Sequence, residues 1–223
     1  MKKFLPLIII GSVLILLLVI VYFVAKGIKG GSAPANQEEA NIPEIPASEW
    51  PVVSLTPTSD PKVAGSMGHW LDFKVQKINI SGASSMDYEL VYTTTNGGQQ
   101  GVPGTVKLDG KDVDRPLLLG SESSGKYRYD AGVEQGTMTL KFRDASGKLI
   151  GKLLTDFHLQ SEVTTLTSID GKFTYELDKV AKGVFLVTMK TFVDPVASMV
   201  VVSQNGYSVF ASDGKAHSGK LGQ

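Results

Sequence analysis

The sequence predicts an all-β, antiparallel sandwich standing behind one N-terminal membrane-spanning helix, and three observations carry that expectation. Residues Phe4 to Val24 hold no charged side chain across 21 positions. Beyond Pro51, apolar residues recur at every second position, the period of a strand with one dry face and one wet face. Turn-forming residues, namely Asp144 to Gly147, Asp170-Gly171 and Asn205-Gly206, separate those alternating runs where hairpins would close.

The N-terminal run is the first element. At 1.5 Å of rise per residue a helix of this length covers roughly 31 Å, close to the hydrocarbon thickness of a bilayer. Pro6 falls in its first turn, where a missing N–H costs little, and Tyr22 falls near the far interface. The Lys2-Lys3 lead resembles an export signal, and Ala33-Pro34-Ala35 has the spacing of a cleavage site. The apolar run is nevertheless longer than an ordinary signal core, and Lys26 and Lys29 stand between it and that site. Residues 1–25 are therefore read as an uncleaved signal anchor, with residues 4–24 in the lipid. Lysines flank the run on both sides, so the positive-inside bias nearly cancels. The short basic lead favours an amino terminus inside and a domain outside. The run has neither the early glutamate nor the preceding processing glycine of a type IV pilin, and no Gly-x-x-x-Gly face for pairing.

Residues 26–51 change composition to Gly, Ser, Ala, Pro and acids, without helical or strand period, and read as a flexible linker whose distal prolines stiffen it. Charge changes at the same place. Four of the 22 basic residues and none of the 22 acidic ones lie in residues 1–29, leaving a net charge of −4 on the remainder. A mildly acidic body without a basic run argues against nucleic acid as a partner. Cysteine is absent, which excludes disulfides, thiolate metal sites, a cysteine nucleophile and the acylated cysteine of a lipoprotein.

The body from residue 52 to residue 212 divides into about eleven short strands. Leu71, Phe73 and Val75 alternate with Asp72, Lys74 and Gln76, and the apolar phase then slips to Ile78 and Ile80. Such a slip predicts a bulge near Gln76 or Lys77. Tyr88, Leu90 and Tyr92 alternate next, followed by Met138, Leu140 and Phe142. Val184 to Phe192 is apolar on both faces and should form a central strand. Polar residues at Gln160 to Thr164 suggest a boundary. Residues 52–160 would make a complete sandwich, 161–212 a C-terminal β-meander packed on it, and 213–223 a disordered tail. In architecture alone, residues 52–160 resemble the immunoglobulin and fibronectin sandwiches.

No motif for chemistry survives inspection. Gly120 to Lys126 matches the G-x-x-x-x-G-K spacing, but Tyr127 stands where a phosphate loop needs Ser or Thr, and no helix follows. A polar hairpin is expected there. Asp109, Asp112 and Asp114 do not follow the order of a calcium loop, and Asp130 and Glu134 flank a turn at Gly132. His69, His158 and His217 have no metal-ligand spacing, and no serine lies in a G-x-S-x-G elbow. Tyr127 and Tyr129 share one strand face, as a cross-strand pair or a sugar platform would. Asn79-Ile80-Ser81 is a glycosylation sequon on a strand expected to be partly buried. No catalytic, cofactor or metal residue is assigned.

The expected function is that of a single-pass, membrane-anchored surface protein whose loops serve binding, adhesion or envelope assembly toward a protein or glycan partner. One alternative is a tethered hydrolase acting on glycan or peptide, for which Asp72 and Asp156 would have to meet in a groove lined by Trp70. Another is a scaffold on the cytoplasmic face.

Overall fold

The structure, a computed structural model, describes residues 42–60, 62–195 and 201–222. The chain divides at Ile42, and the unit described is the one from Pro43 to Gln223. The expected membrane helix at residues 4–24 and the linker up to residue 41 lie outside the described residues. Among the described residues, no helix is long and apolar enough to cross a membrane.

Alternation of apolar and polar residues produces fifteen strands among the described residues, all paired antiparallel. Strands β1 (Val52–Thr58), β2 (Trp70–Gln76) and β5 (Val113–Leu118) form a small sheet in the order β1-β2-β5. A seven-stranded sheet takes β3 (Ser85–Thr93), β4 (Gln99–Lys107), β8 (Gln135–Arg143), β9 (Leu149–Ser161), β12 (Phe185–Lys190), β13 (Val202–Gln204) and β14 (Tyr207–Ala211). Its order is β13-β14-β12-β9-β8-β3-β4. The hairpin of β6 (Gly120–Ser123) and β7 (Lys126–Tyr129) stands as its own pair. Strands β10 (Thr165–Thr167), β11 (Thr174–Leu177) and β15 (Gly219–Leu221) make a third sheet. Several of these strands are three or four residues long, too short for a period of two to register in the sequence.

The main core lies between the small and large sheets. Leu55, Leu71, Phe73 and Val75 face Met86, Leu90, Met138, Leu140, Phe142 and Phe157, all buried. Strands β12 and β14 are apolar on both sides because they serve two cores. Val187, Met189 and Phe210 turn into the main core, while Leu186, Val209 and Ala211 face Leu166, Tyr175 and Leu177 of the third sheet and Phe173 of the loop that enters β11. The central strand expected over residues 184–192 is this β12, held between β9 and β14.

Four expectations need correction. The segment after residue 160 is not a meander laid on the sandwich; β12, β14 and β13 extend the large sheet sideways from β9. Edgewise addition gives the end of β9 a ladder partner, which packing on a face would not supply. The slip after Val75 is not a bulge, because β2 ends at Gln76 and Lys77 takes a left-handed turn with φ of 55°. Asp112 accepts from the Lys77 N–H and from Gln76 Nε2 and fixes that exit. The register shift falls instead in the β8–β9 pair, at Phe142/Arg143. The last residues are not a loose tail, since Gly219–Leu221 pairs with β11 and a Cβ at Gly219 would lie 2.2 Å from the Glu176 carbonyl.

The linker's distal half is the fourth case. Ile45 is buried in the main core in a slot over Gly151, where an added Cβ would lie 2.6 Å from Ile45 Cγ1. Trp50 Nε1 donates to the Ile45 carbonyl at 2.8 Å, and its ring packs edge-on against Phe192 at 5.9 Å. The Glu49 carboxylate accepts from both the N–H and the hydroxyl of Ser81. Residues 43–51 are thus a strap on the body, drawn down by apolar area that composition alone did not weigh against three prolines.

Two turns also differ in kind. Asn205 (φ 54°) and Gly206 (φ 76°) form the expected primed turn, whereas Asp170-Gly171 belongs to a six-residue loop in which only Gly171 is left-handed. Asp170 there accepts from the hydroxyls of Tyr207 and Ser168. Those bonds hold its carboxyl at about 2, while burial and the adjacent Asp170 raise the Tyr207 phenol to about 12.

Two outcomes follow from this packing. Ile45→Ala, which empties the slot, and Gly151→Ala, whose added methyl collides with the Ile45 side chain, each lower the unfolding free energy by about 1–3 kcal/mol in urea titrations, and the double variant loses less than the sum, because the new methyl enters the space that the isoleucine vacates. The depressed Asp170 pKa stabilises the fold above about pH 4, and that contribution fades as pH falls from about 4 to about 2. Asp170→Asn should therefore flatten the acid limb of a stability-versus-pH curve in that window.

Candidate functional site

Strand β9 sets the two ends of the body. Gly151, near its start, seats Ile45, and Ser161 closes it. At about 3.3 Å per residue these positions lie roughly 33 Å apart. The end beyond Ser161 gathers the loop entering β2, the β6–β7 hairpin, residues 130–134 and the start of β12. Among them lies a cleft of about 370 Å³. Its lining includes His69, Asp130, Glu134, His158, Ser161 and Phe185.

Each wall has a local cause. Gly68 is buried with φ of 80°, and a Cβ there would lie 2.4 Å from the Phe185 ring, so the ring rests directly on its backbone. The Ser66 hydroxyl ties this loop by donating to the Asp60 and Val63 carbonyls. Gly132, with φ of 64°, presses on Thr95, whose N–H donates to the Ala131 carbonyl at 2.9 Å. The Leu159 N–H donates to the Glu134 carbonyl at 2.7 Å and closes that loop onto β9. These contacts draw Asp130 and Glu134 toward the imidazoles from a stretch that the sequence offers only as a turn.

The polar groups are held individually. Tyr92, 1% exposed, sends its hydroxyl to Asp130 Oδ2 at 2.8 Å, and burial together with that carboxylate pushes the phenol well above its usual range. His158 Nδ1 lies 2.8 Å from the Thr167 carbonyl and therefore carries the proton, which leaves Nε2 as the other polar atom of the ring. The Gln160 side chain accepts from the Thr167 N–H and donates to the Thr165 carbonyl, so it is occupied in holding β10. Burial lowers the pKa of His69, whose ring stacks on Tyr129 with centroids 4.5 Å apart.

The aromatic residues form a row rather than an open platform. Tyr127 lies parallel to Tyr129 at 6.4 Å, and Trp70 meets Tyr127 edge-on at 5.6 Å. The row docks the β6–β7 hairpin onto the start of β2, while Tyr127 at its outer end stays exposed. The Gly120–Lys126 run is this hairpin, with Ser124 and Gly125 both left-handed at its tip and the Glu122 carboxylate receiving the Gly125 N–H. At Gly120 a Cβ would lie 2.2 Å from the Arg128 carbonyl, which is why the hairpin begins there.

Other sequence candidates disperse. Asp109 pairs with Lys111, Asp112 holds the end of β2 and Asp114 pairs with Lys74, so the three carboxylates have three separate tasks. Asp72 lies on the outer face of the small sheet, paired with Lys74 at 2.9 Å. Asp156 lies on the outer face of the large sheet, accepting from Thr137 Oγ1 at 2.7 Å. The two are on opposite outsides of the sandwich and cannot act together. His217 is joined to Asp213. Asn79 is exposed, in the loop after β2 rather than on a strand. Among the described residues no group of three or more His, Cys, Asp or Glu converges as a metal site would require.

What sequence reasoning missed is that His69, Asp130, Glu134 and His158 line one cleft. These residues come from three separate segments, and only Asp130 and Glu134 are near one another in the sequence. No protein-family model matches the chain, and neither a curated protein nor a solved structure matches it.

Replacement of Tyr92 by Phe removes the bond that positions Asp130. The unfolding free energy should fall by about 1–2 kcal/mol in urea with no change in slope.

Proposed function

We propose that this chain is a single-pass membrane protein whose β-sandwich stands outside the cell and binds a partner through the cleft around His69 and His158. One observation carries the reading. The strap that leads back to the N-terminal apolar run is docked at one end of β9, and the cleft opens at the other. A module held by one pole and bearing its loops at the opposite pole is arranged for presentation.

Two further features support it. With the β6–β7 hairpin set aside, strands 1-2-5 face strands 4-3-8-9, the A-B-E against C′-C-F-G division of the immunoglobulin class. This order favours the immunoglobulin- or fibronectin-like reading of residues 52–160, a frame whose end loops commonly bind. The apolar run Phe4 to Val24 and its basic lead favour the anchor and its orientation. The hydrolase alternative now has a different pair to rest on, because Asp130 and Glu134 line the same cleft.

Sidedness can be tested directly. The chain has no cysteine, and Lys215 is exposed with a side chain that supports no strand. A Lys215→Cys variant should react with a membrane-impermeant maleimide on intact cells. Reaction only after permeabilisation would favour the cytoplasmic scaffold.

A further inference from the structure

The cleft's chemistry narrows its ligand. No Lys or Arg lines it, while Asp130 and Glu134 both do, so an anionic ligand would meet two carboxylates and no counter-charge. A compact cation is disfavoured for another reason. The acidic and imidazole groups do not converge on one point among the described residues; they are spread around the cleft. Spread acceptors suit a ligand that carries several separate donors. Alongside them, Val133, Val163 and the Phe185 ring contribute apolar surface. Phe185 is backed by Gly68, so its ring is held in place whether or not a ligand is present. The volume of about 370 Å³ falls within the range of roughly 300–1,000 Å³ typical of small-molecule sites.

A molecule with an apolar ring face and hydroxyls around its edge matches all of these features. We propose that the cleft binds a neutral saccharide, with one sugar ring against Phe185 and hydroxyls donated to Asp130, Glu134 and His158 Nε2. This deepens the binding reading above and rests on it. Asp130 has Oδ1 for the ligand, since Oδ2 already accepts from Tyr92. The Ser161 hydroxyl, which also lines the cleft, supplies a donor to a sugar oxygen. Tyr127 and Tyr129 are not the platform, because neither lines the cleft and the Tyr129 ring stacks on His69.

The two tryptophans give a built-in reporter, since Trp70 adjoins His69 at the cleft and Trp50 lies at the strap. In a Trp50→Phe background, Trp70 is the sole indole. The full-length protein, in a detergent without a sugar headgroup, is titrated with neutral hexose and N-acetylhexosamine di- to tetrasaccharides, and separately with spermidine and inorganic phosphate. At least one saccharide should change Trp70 emission saturably. Glu134→Gln should weaken that binding about tenfold or more. The melting temperature should not move, because the Glu134 side chain is exposed and its backbone carbonyl alone serves the fold. Absence of saturable binding by every saccharide, or equal affinity in Glu134→Gln, overturns the proposal. Saturable binding of spermidine or phosphate in place of saccharide also overturns it, while leaving the cleft as a binding site. Labelling of Lys215→Cys is independent of all these results and bears only on the anchored, outward-facing reading.

Discussion

One strand constrains the rest of this molecule. Strand β9 runs thirteen residues without a break in alternation, with Leu153, Phe157 and Leu159 turned into the main core and Lys152, Leu154 and Asp156 turned outward. Its first part pairs with β8 and its last part with β12, so it joins the N-terminal sandwich strands to the C-terminal ones in a single hydrogen-bonded sheet. A one-residue slip would turn its apolar side chains to water and break both ladders together. The single tolerated irregularity, at Phe142/Arg143, lies at the end of the strand beside Gly151, and there the chain's N-terminal strap is seated.

Burial on two faces follows from that continuity. Once β12 and β14 are added to the edge of the sheet, their inner residues fall within the main core and their outer residues require a separate cover. The third sheet and the loop before β11 supply it with Leu166, Tyr175, Leu177 and Phe173. The final strand, Gly219–Leu221, closes the edge of that cover, and only glycine at position 219 allows the approach to β11. The edge strands on the N-terminal side each carry proline, Pro57 in β1, Pro103 in β4 and Pro116 in β5, which discourages pairing with another chain.

The cleft depends on the same frame through close backbone contacts. Gly68 under Phe185 and Gly132 against Thr95 bring two loops within reach of the end of β9. The β6–β7 hairpin, which would be marginal alone, is held by the row of His69, Tyr129, Tyr127 and Trp70. Gly68, Gly132, Asp130, His158, Gln160 and Phe185 both line the space and hold its walls, whereas the Glu134 and Ser161 side chains line it without holding them. That division lets Glu134 and Ser161 change without disturbing the sheets.

By itself the sequence determined the class of fold, the antiparallel sense, the β6–β7 hairpin in place of a phosphate loop, and the central position of Phe185–Lys190. All of these are set by neighbours within a few residues, through a period of two and through turns that need a left-handed backbone. It was silent or misleading where distant surfaces compete for the same segment. Composition places Ile45 in a linker because three prolines outweigh one isoleucine, whereas Gly151 provides a slot for it; the last strand is polar in sequence, yet β11 has an edge for it to fill. The meeting of His69 and His158 in one cleft is likewise a product of tertiary structure, because only the pairing of sheets and the close approaches at glycine bring those segments together.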